Sequence, residues 1–323
     1  MCFRHLAVSL ALVSPSLPAC AQSAAGKVPR VGLLGVTSAA GYARQVEALQ
    51  QGFLDLGYVE GRNIVIEYRW ADGRYDRLPA LAAELIRLQP DVIVTSGPGI
   101  RVLKAATTTI PVVMAVAGDA VAEGLVASLA RPGGNITGST FFGPEVAAKR
   151  LEMLKAAVPR LARVAVLVNP ANNYSVAIEM VKKTAGALNV ELFEVPARSP
   201  QEFDDAFALM LRQRAEGVLV LGDPMHVANM RRLGELSAAK RLPGAGSDEY
   251  AEGGGLLAYG VHFPDLWRRA PYFVDKILKG GTPATIPVEQ ASRFALIFNI
   301  KTAKAMGLPI QPSLLLRADQ VIE

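Results

Sequence analysis

Cysteine is nearly missing from this chain: Cys2 and Cys20 are the only two, and both stand near the N-terminus. A disulfide framework, a thiol nucleophile or a cysteine metal site elsewhere in the sequence is therefore excluded. Histidine is almost as scarce. His5, His226 and His262 are far apart, and a zinc site needs three or four ligands at close spacing. No metal site is expected, and His226 and His262 read as surface histidines. Aromatic residues make up 7%, and Lys and Arg are scattered rather than run together, so the net charge of +5 reads as a solvated surface and not as a nucleic-acid patch. No apolar run is long enough for a bilayer, so the mature chain is not expected to span a membrane.

Catalytic signatures are also lacking. There is no G-x-S-x-G elbow and no G-x-x-x-x-G-K-[ST] phosphate loop. Gly97-Pro98-Gly99 begins like a dinucleotide fingerprint, but Val102 stands where the third glycine is needed, so a tight turn is the better reading. No cofactor is expected. Paired carboxylates occur at Asp204-Asp205, which suit the start of a helix, and at Asp248-Glu249, in a loop after Pro243-Gly244. Acid–base chemistry stays open at the second pair, although no positioned partner can be read beside it.

What is present is a globular composition, 51% hydrophobic and 20% charged, in 323 residues. That length exceeds what one core supports and implies two domains. The N-terminus has the layout of an export signal over residues 1–21: Arg4, an apolar run from Leu6 to Val13, then Pro15 and Pro18 before Ala19-Cys20-Ala21. Ala19 and Ala21 fit cleavage before Gln22, the favoured reading, which removes both cysteines and lowers the net charge by one. Leu17-Pro18-Ala19-Cys20 is a poor lipobox that would instead leave Cys20 lipidated. Either way a periplasmic location is expected.

Beyond the signal, strand and helix patterns alternate. Val28–Val36, Asn63–Trp70, Asp91–Thr95 and Pro111–Ala117 read as strands, with helical periodicity between them, for example Val46, Leu49, Phe53 and Leu56. After the turn cluster Arg131-Pro132-Gly133-Gly134-Asn135 the rhythm restarts, with strands at Arg163–Val168, Val190–Val195 and Gly217–Leu221. One helix is expected over Met225–Arg241. The pattern predicts an α/β protein of two doubly wound parallel-sheet lobes joined by a three-segment hinge. The N-terminal lobe is expected over 28–140 plus 262–292 and the C-terminal lobe over 141–255 plus 297–323. Crossings are expected near 136–142, 256–261 and 294–299.

Open parallel sheets bind ligands beyond the carboxyl ends of their strands, where helix N-termini leave N–H groups free. Those ends carry Thr37, Ser38, Thr95, Ser96, Gly97 and Asp119 in the first lobe. In the second they carry Asn169, Asn172, Asn173, Tyr174, Asp223, Ser247 and Asp248. Any one of these is an ordinary cap or turn former; the constellation points to a ligand. Thr95, Ser96 and the amides after them are expected to hold a carboxylate, and Asp223 or Asp248 an ammonium. Tyr42, Phe141, Phe142 and Tyr174 are expected to supply an apolar wall. On this reading, alanine at Asp223 or Thr95 abolishes binding and leaves the unliganded melting point nearly unchanged.

Several stretches carry a family resemblance: Leu56-Gly57-Tyr58-Val59-Glu60-Gly61-Arg62-Asn63, Pro90-Asp91-Val92-Ile93-Val94, Arg131-Pro132-Gly133-Gly134-Asn135-Ile136-Thr137-Gly138, Val166-Leu167-Val168-Asn169-Pro170, Val274-Asp275-Lys276-Ile277-Leu278-Lys279-Gly280, and Asn299-Ile300-Lys301-Thr302-Ala303 to Gly307-Leu308. They resemble the bacterial ABC-transporter substrate-binding proteins that include the tryptophan/tyrosine type, over nearly the whole mature chain. The resemblance implies a type I periplasmic-binding-protein fold, a hinged cleft, a small-molecule ligand and a transporter permease as partner. A monomer is expected, and no enzymatic activity. The chain departs from the family at Asp119-Ala120, where Asp-Pro is usual, and at Gly244-Ala245-Gly246-Ser247-Asp248-Glu249. Aromatic amino-acid specificity therefore does not carry over directly, and an aromatic or hydrophobic amino acid or related carboxylate is the first expectation. A ligand-sensing partner of a membrane receptor is the alternative, and an enzyme on the same scaffold the third reading.

Overall fold

A computed structural model describes residues 27–323; the segment expected to be an export signal, with Cys2 and Cys20, lies outside the described residues. The first run of elements is β1 (Arg30–Gly35), α1 (Ala43–Asp55), β2 (Val65–Trp70), α2 (Leu78–Arg87), β3 (Val92–Ser96), α3 (Pro98–Ala106), β4 (Val112–Ala117) and β5 (Ile136–Thr140). The second is α4 (Gly143–Ala157), β6 (Arg163–Val168), α5 (Ser175–Ala187), β7 (Glu191–Pro196), α6 (Phe203–Arg212), β8 (Gly217–Val220), α7 (Pro224–Val227), α8 (Met230–Ala239), β9 (Gly244–Gly246), α9 (Asp248–Glu252) and β10 (Leu257–Gly260). The chain then forms α10 (Phe263–Leu278), β11 (Glu289–Gln290), β12 (Ala295–Asn299), α11 (Ile300–Met306), α12 (Pro312–Leu315) and β13 (Gln320–Ile322).

Two separate sheets result, in the orders β11-β5-β4-β3-β1-β2 and β13-β12-β10-β9-β8-β6-β7. The first is parallel throughout. The second is parallel except where β12 runs antiparallel to β10. Neighbouring residues of a strand point to opposite faces, so each buried strand feeds two cores. In β1, Leu34 packs with Leu78, Leu85 and Ile93, whereas Leu33 packs with Leu49, Phe53, Trp267 and Phe273. Helices therefore cover both faces, and the near-continuous apolar runs of β1, β3 and β4 follow from that double burial. The second sheet has the same plan, with Leu151, Leu154 and Val181 on one face and Phe203, Phe207 and Leu233 on the other.

The stretches expected as crossings are mostly strand. Residues 136–140 belong to the first sheet, and 257–260 and 295–299 to the second. The links between the sheets are the short pieces beside them: Phe141-Phe142, Val261-His262, and Ala291 to Phe294. Phe142 adopts a left-handed φ of 52° in the first link.

Local pattern misled the reading in three places. Gly244-Ala245-Gly246, expected in a loop, is the buried strand β9. A Cβ at Gly244, Gly246 or Gly255 would meet Tyr250 at 2.1, 2.6 and 2.1 Å, so these glycines are the slot for that ring. The helix expected over Met225–Arg241 is broken into α7 and α8 at Ala228-Asn229. Ser96-Gly97-Pro98-Gly99, expected as a turn, runs directly into α3, with Gly97 at the cap and Pro98 in the first turn.

Candidate ligand cleft

The carboxyl ends of the two sheets face each other across a cavity lined by both lobes. It encloses about 1190 Å³ of atom-free space, its mouth included. From the first lobe come Tyr42, Gln45, Ser96, Gly97, Asp119 and Trp267. From the second come Arg150, Asn172, Asn173 and Tyr174, and Phe141 and Phe263 line it beside the links. The aromatic wall is fixed by edge-to-face packing. Tyr42 meets Trp267 at 5.2 Å between ring centroids, and Phe141 meets Phe263 at 5.5 Å. The Tyr42 hydroxyl lies 2.9 Å from Ser96 Oγ, and burial pushes its pKa up, so it stays a neutral phenol. The Tyr174 hydroxyl is buried with no hydrogen-bond partner.

Of the residues expected at the site, Tyr42, Ser96, Gly97, Asp119, Phe141, Asn172, Asn173 and Tyr174 line the cavity. Thr37, Ser38, Thr95, Asn169, Asp223, Ser247 and Asp248 do not, and local hydrogen bonds account for most of them. Thr95 is fully buried, and its Oγ1 donates to the Leu34 carbonyl at 2.8 Å, tying β3 to β1. Ser38 Oγ accepts from Gly41 N in the turn before α1. Beside it, the buried Thr37 hydroxyl turns to the Ser38 carbonyl. Asn169 Oδ1 accepts from Ala171 N, and Ser247 Oγ donates to Glu249. Asp248 Oδ1 accepts from the Glu249 amide. Asp223 caps α7 through Met225 N at 2.8 Å and also accepts from Tyr75 Oη at 2.9 Å and Asn172 Nδ2 at 3.0 Å. With Asn169 Nδ2 at 3.4 Å as a further donor, its roughly four lone pairs are taken by protein donors, and none is left for a ligand ammonium.

His226 also differs from expectation. It is completely buried, with Nδ1 3.3 Å from the Leu221 carbonyl, and desolvation holds its pKa below the usual imidazole value.

Sequence reasoning missed Arg150, Trp267, Phe263 and Gln45. Arg150 left a usable signal. It lies three residues after Ala147 and four before Leu154, on the buried stripe of α4 rather than on a solvated face. A cation in an apolar stripe is costly unless something pairs with it.

Polar contacts also join the lobes across the cleft. Besides Tyr75 to Asp223, Arg44 Nη1 lies 3.1 Å from Glu249 Oε1. Burial, with Asp248 beside it, pushes the Glu249 carboxyl up to about 7, and Arg44 opposes the shift. A carboxyl whose folded pKa is raised favours the folded state below its unfolded pKa, and that contribution is lost as pH rises toward 7. Between about pH 4.5 and pH 7, Glu249 should therefore cost the protein stability as it ionises, on the order of 1–3 kcal/mol. Glu249→Gln is expected to flatten the melting temperature over this window and to melt above the parent at pH 8. Parallel melting curves against pH for the two proteins would count against it.

The chain matches the family model described as ABC transporter substrate binding protein over residues 30–322. It is 26% identical over 271 residues to a tyrosine-binding protein of Clostridioides difficile (strain R20291), covering 81% of this chain and 77% of that protein. Among solved structures it is similar to a conserved domain protein from Vibrio cholerae O1 biovar El Tor, at a TM-score of 0.83 and 25% identity over 91% of this chain and 100% of the other. It is also similar to an ABC domain in complex with L-Trp from Streptococcus pneumonia, at a TM-score of 0.82 and 24% identity over 92% and 100%.

Proposed function

Because the chain belongs to the ABC transporter substrate binding protein family, we propose that it captures a small, largely apolar solute between its lobes and hands it unchanged to a membrane permease. The observation that carries this reading is the aromatic cavity built from both sheets, Tyr42 and Trp267 facing Tyr174 across the cleft with Phe141 and Phe263 beside the links. The three links serve as a hinge, and the Tyr75–Asp223 and Arg44–Glu249 contacts hold the closed arrangement. The tyrosine-binding relative and the L-Trp complex support an aromatic amino acid or a close analogue as the solute. Among the described residues no helix is long and apolar enough to cross a membrane; the receptor is proposed to work as a monomer in the periplasm.

A ligand that binds only the folded protein raises its stability by mass action, about 2.7 kcal/mol at a hundred times Kd. A thermal-shift panel of amino acids and aromatic acids is therefore expected to give a rise of roughly 5–10 °C for an aromatic member. Mass spectrometry of the recovered compound should find it intact. A panel in which no aromatic compound shifts the melting point, or recovery of an altered compound, overturns the reading.

A further inference from the structure

Arg150 is 3% exposed, lines the cavity, and is held on its inner side by two backbone carbonyls. Nε donates to Tyr259 O at 2.7 Å and Nη1 to Val220 O at 2.9 Å. These two acceptors sit at the carboxyl ends of β10 and β8, so the guanidinium plane is fixed by the sheet itself. A Cβ at Gly260 would stand 3.1 Å from Nη2, so the absence of a side chain there leaves the guanidinium its place. A guanidinium has five N–H groups, and the two carbonyls take two of them. Among the described residues no carboxylate oxygen lies within 4 Å of it. Burial lowers its pKa only to about 10, with Asp248 opposing the drop from further away, so the group is a cation at neutral pH.

A buried, pre-oriented cation without a counter-ion is costly to the protein alone and is repaid by an anion that enters the cavity. The carboxylates that line the same cavity are committed elsewhere. Asp119 Oδ1 accepts from the Val121 and Ala122 amides, and Glu123 pairs with Arg101 and accepts from Asp119 N. The geometry points to Arg150 as the anchor of a ligand carboxylate, making the solute an organic acid with an aromatic or aliphatic body. This rests on the cavity being the binding site, and it replaces Thr95 as the expected carboxylate holder. Arginine suits the task because its planar fork matches two carboxylate oxygens at once.

The test pairs ligand chemistry with substitution, using calorimetric titration of the purified chain. L-tryptophan and indole-3-propionate carry the carboxylate, whereas L-tryptophanamide and tryptamine lack it. The unsubstituted protein is expected to bind at least one of the acids and to bind the amide and the amine at least 100-fold more weakly. The two acids differ only in the amino group, so the tighter of them tells whether an amino acid or a simple aromatic acid is preferred, and tight binding of either supports the assignment. Arg150→Lys, which keeps the charge but loses the fork, should weaken acid binding about tenfold, and Arg150→Met at least 100-fold. Because Arg150 also supports two strand ends, the unliganded melting curve of each variant is recorded, and the acid-against-amide comparison needs no variant at all. Equal binding of tryptamine and tryptophan by the unsubstituted protein overturns the carboxylate anchor while leaving the cavity as the binding site. Failure of all four probes to bind overturns both.

Discussion

Asp223→Ala is expected to lower the melting temperature of the unliganded chain by roughly 5–12 °C, the consequence of about 2–4 kcal/mol lost from a buried cluster. The carboxylate has no solvent exposure. It holds the first turn of α7 through Met225 N and accepts from Asn172 of the loop before α5 and from Tyr75 of the other lobe. Removing it orphans several donors at once in a site where water does not replace it, which is the costly way to break a hydrogen bond. This reverses the expectation drawn from sequence, that alanine here would leave the melting point nearly unchanged. Thr95→Ala should fall the same way by a smaller amount, since Thr95 joins β3 to β1. Tyr75→Phe separates the two roles of Asp223, because it deletes the inter-lobe bond and leaves the α7 cap whole. Its melting point should stay close to the parent, and small-angle scattering should show a larger mean radius. Calorimetry that finds Asp223→Ala as stable as the parent would contradict the assignment.

Gly97→Val is expected to cut ligand affinity at least 100-fold by keeping the lobes apart. Gly97 stands at the mouth of β3 with φ 51° and ψ −131°, a conformation that suits glycine. A Cβ there would lie 2.9 Å from Pro224 Cγ, across the cleft in the opposite lobe. The branched side chain therefore acts as a wedge between the end of β3 and the start of α7. The positive φ adds its own cost of about 1–3 kcal/mol, which has to be separated from the wedge. Gly61→Ala provides that control, since Gly61 also has a positive φ, 78°, but open space around its Cβ position. Gly61→Ala should lose stability and keep affinity, whereas Gly97→Val should lose both and scatter as an opened particle. Unchanged affinity in Gly97→Val would mean that closure does not bring these two loops together.

How much of the site was legible in the sequence follows from how each residue reaches it. Ser96, Gly97, Asp119, Asn172 and Tyr174 could be placed toward the cavity from sequence because the ends of parallel strands point one way, a rule that needs only the order of elements. The same rule also gathered Thr95 and Asn169, whose side chains turn back into their own lobe, and Asp223, which is taken up by the α7 cap and by Tyr75 of the other lobe. Sequence cannot tell the two groups apart, because a one-residue step at a strand end reverses the direction of the side chain. Trp267 and Phe263 escaped the rule altogether. They come from α10, which follows the second lobe in the chain but packs on the first sheet beside Tyr42 and Leu33.

The sequence by itself determined the alternation of strands and helices, the restart after Asn135, and the two double-faced sheets, because each depends on hydrophobic spacing within about twenty residues. The tertiary structure decided what the cleft is made of. Its inter-lobe contacts join Tyr75 to Asp223, 148 residues apart, and Arg44 to Glu249, 205 residues apart. Whether Arg150 meets solvent, a carboxylate or an empty cavity depends on where β8 and β10 end in space. Short-range pattern fixes the elements because each is stabilised by its own periodic face. Partners so far apart in the chain are set only when the packed lobes close.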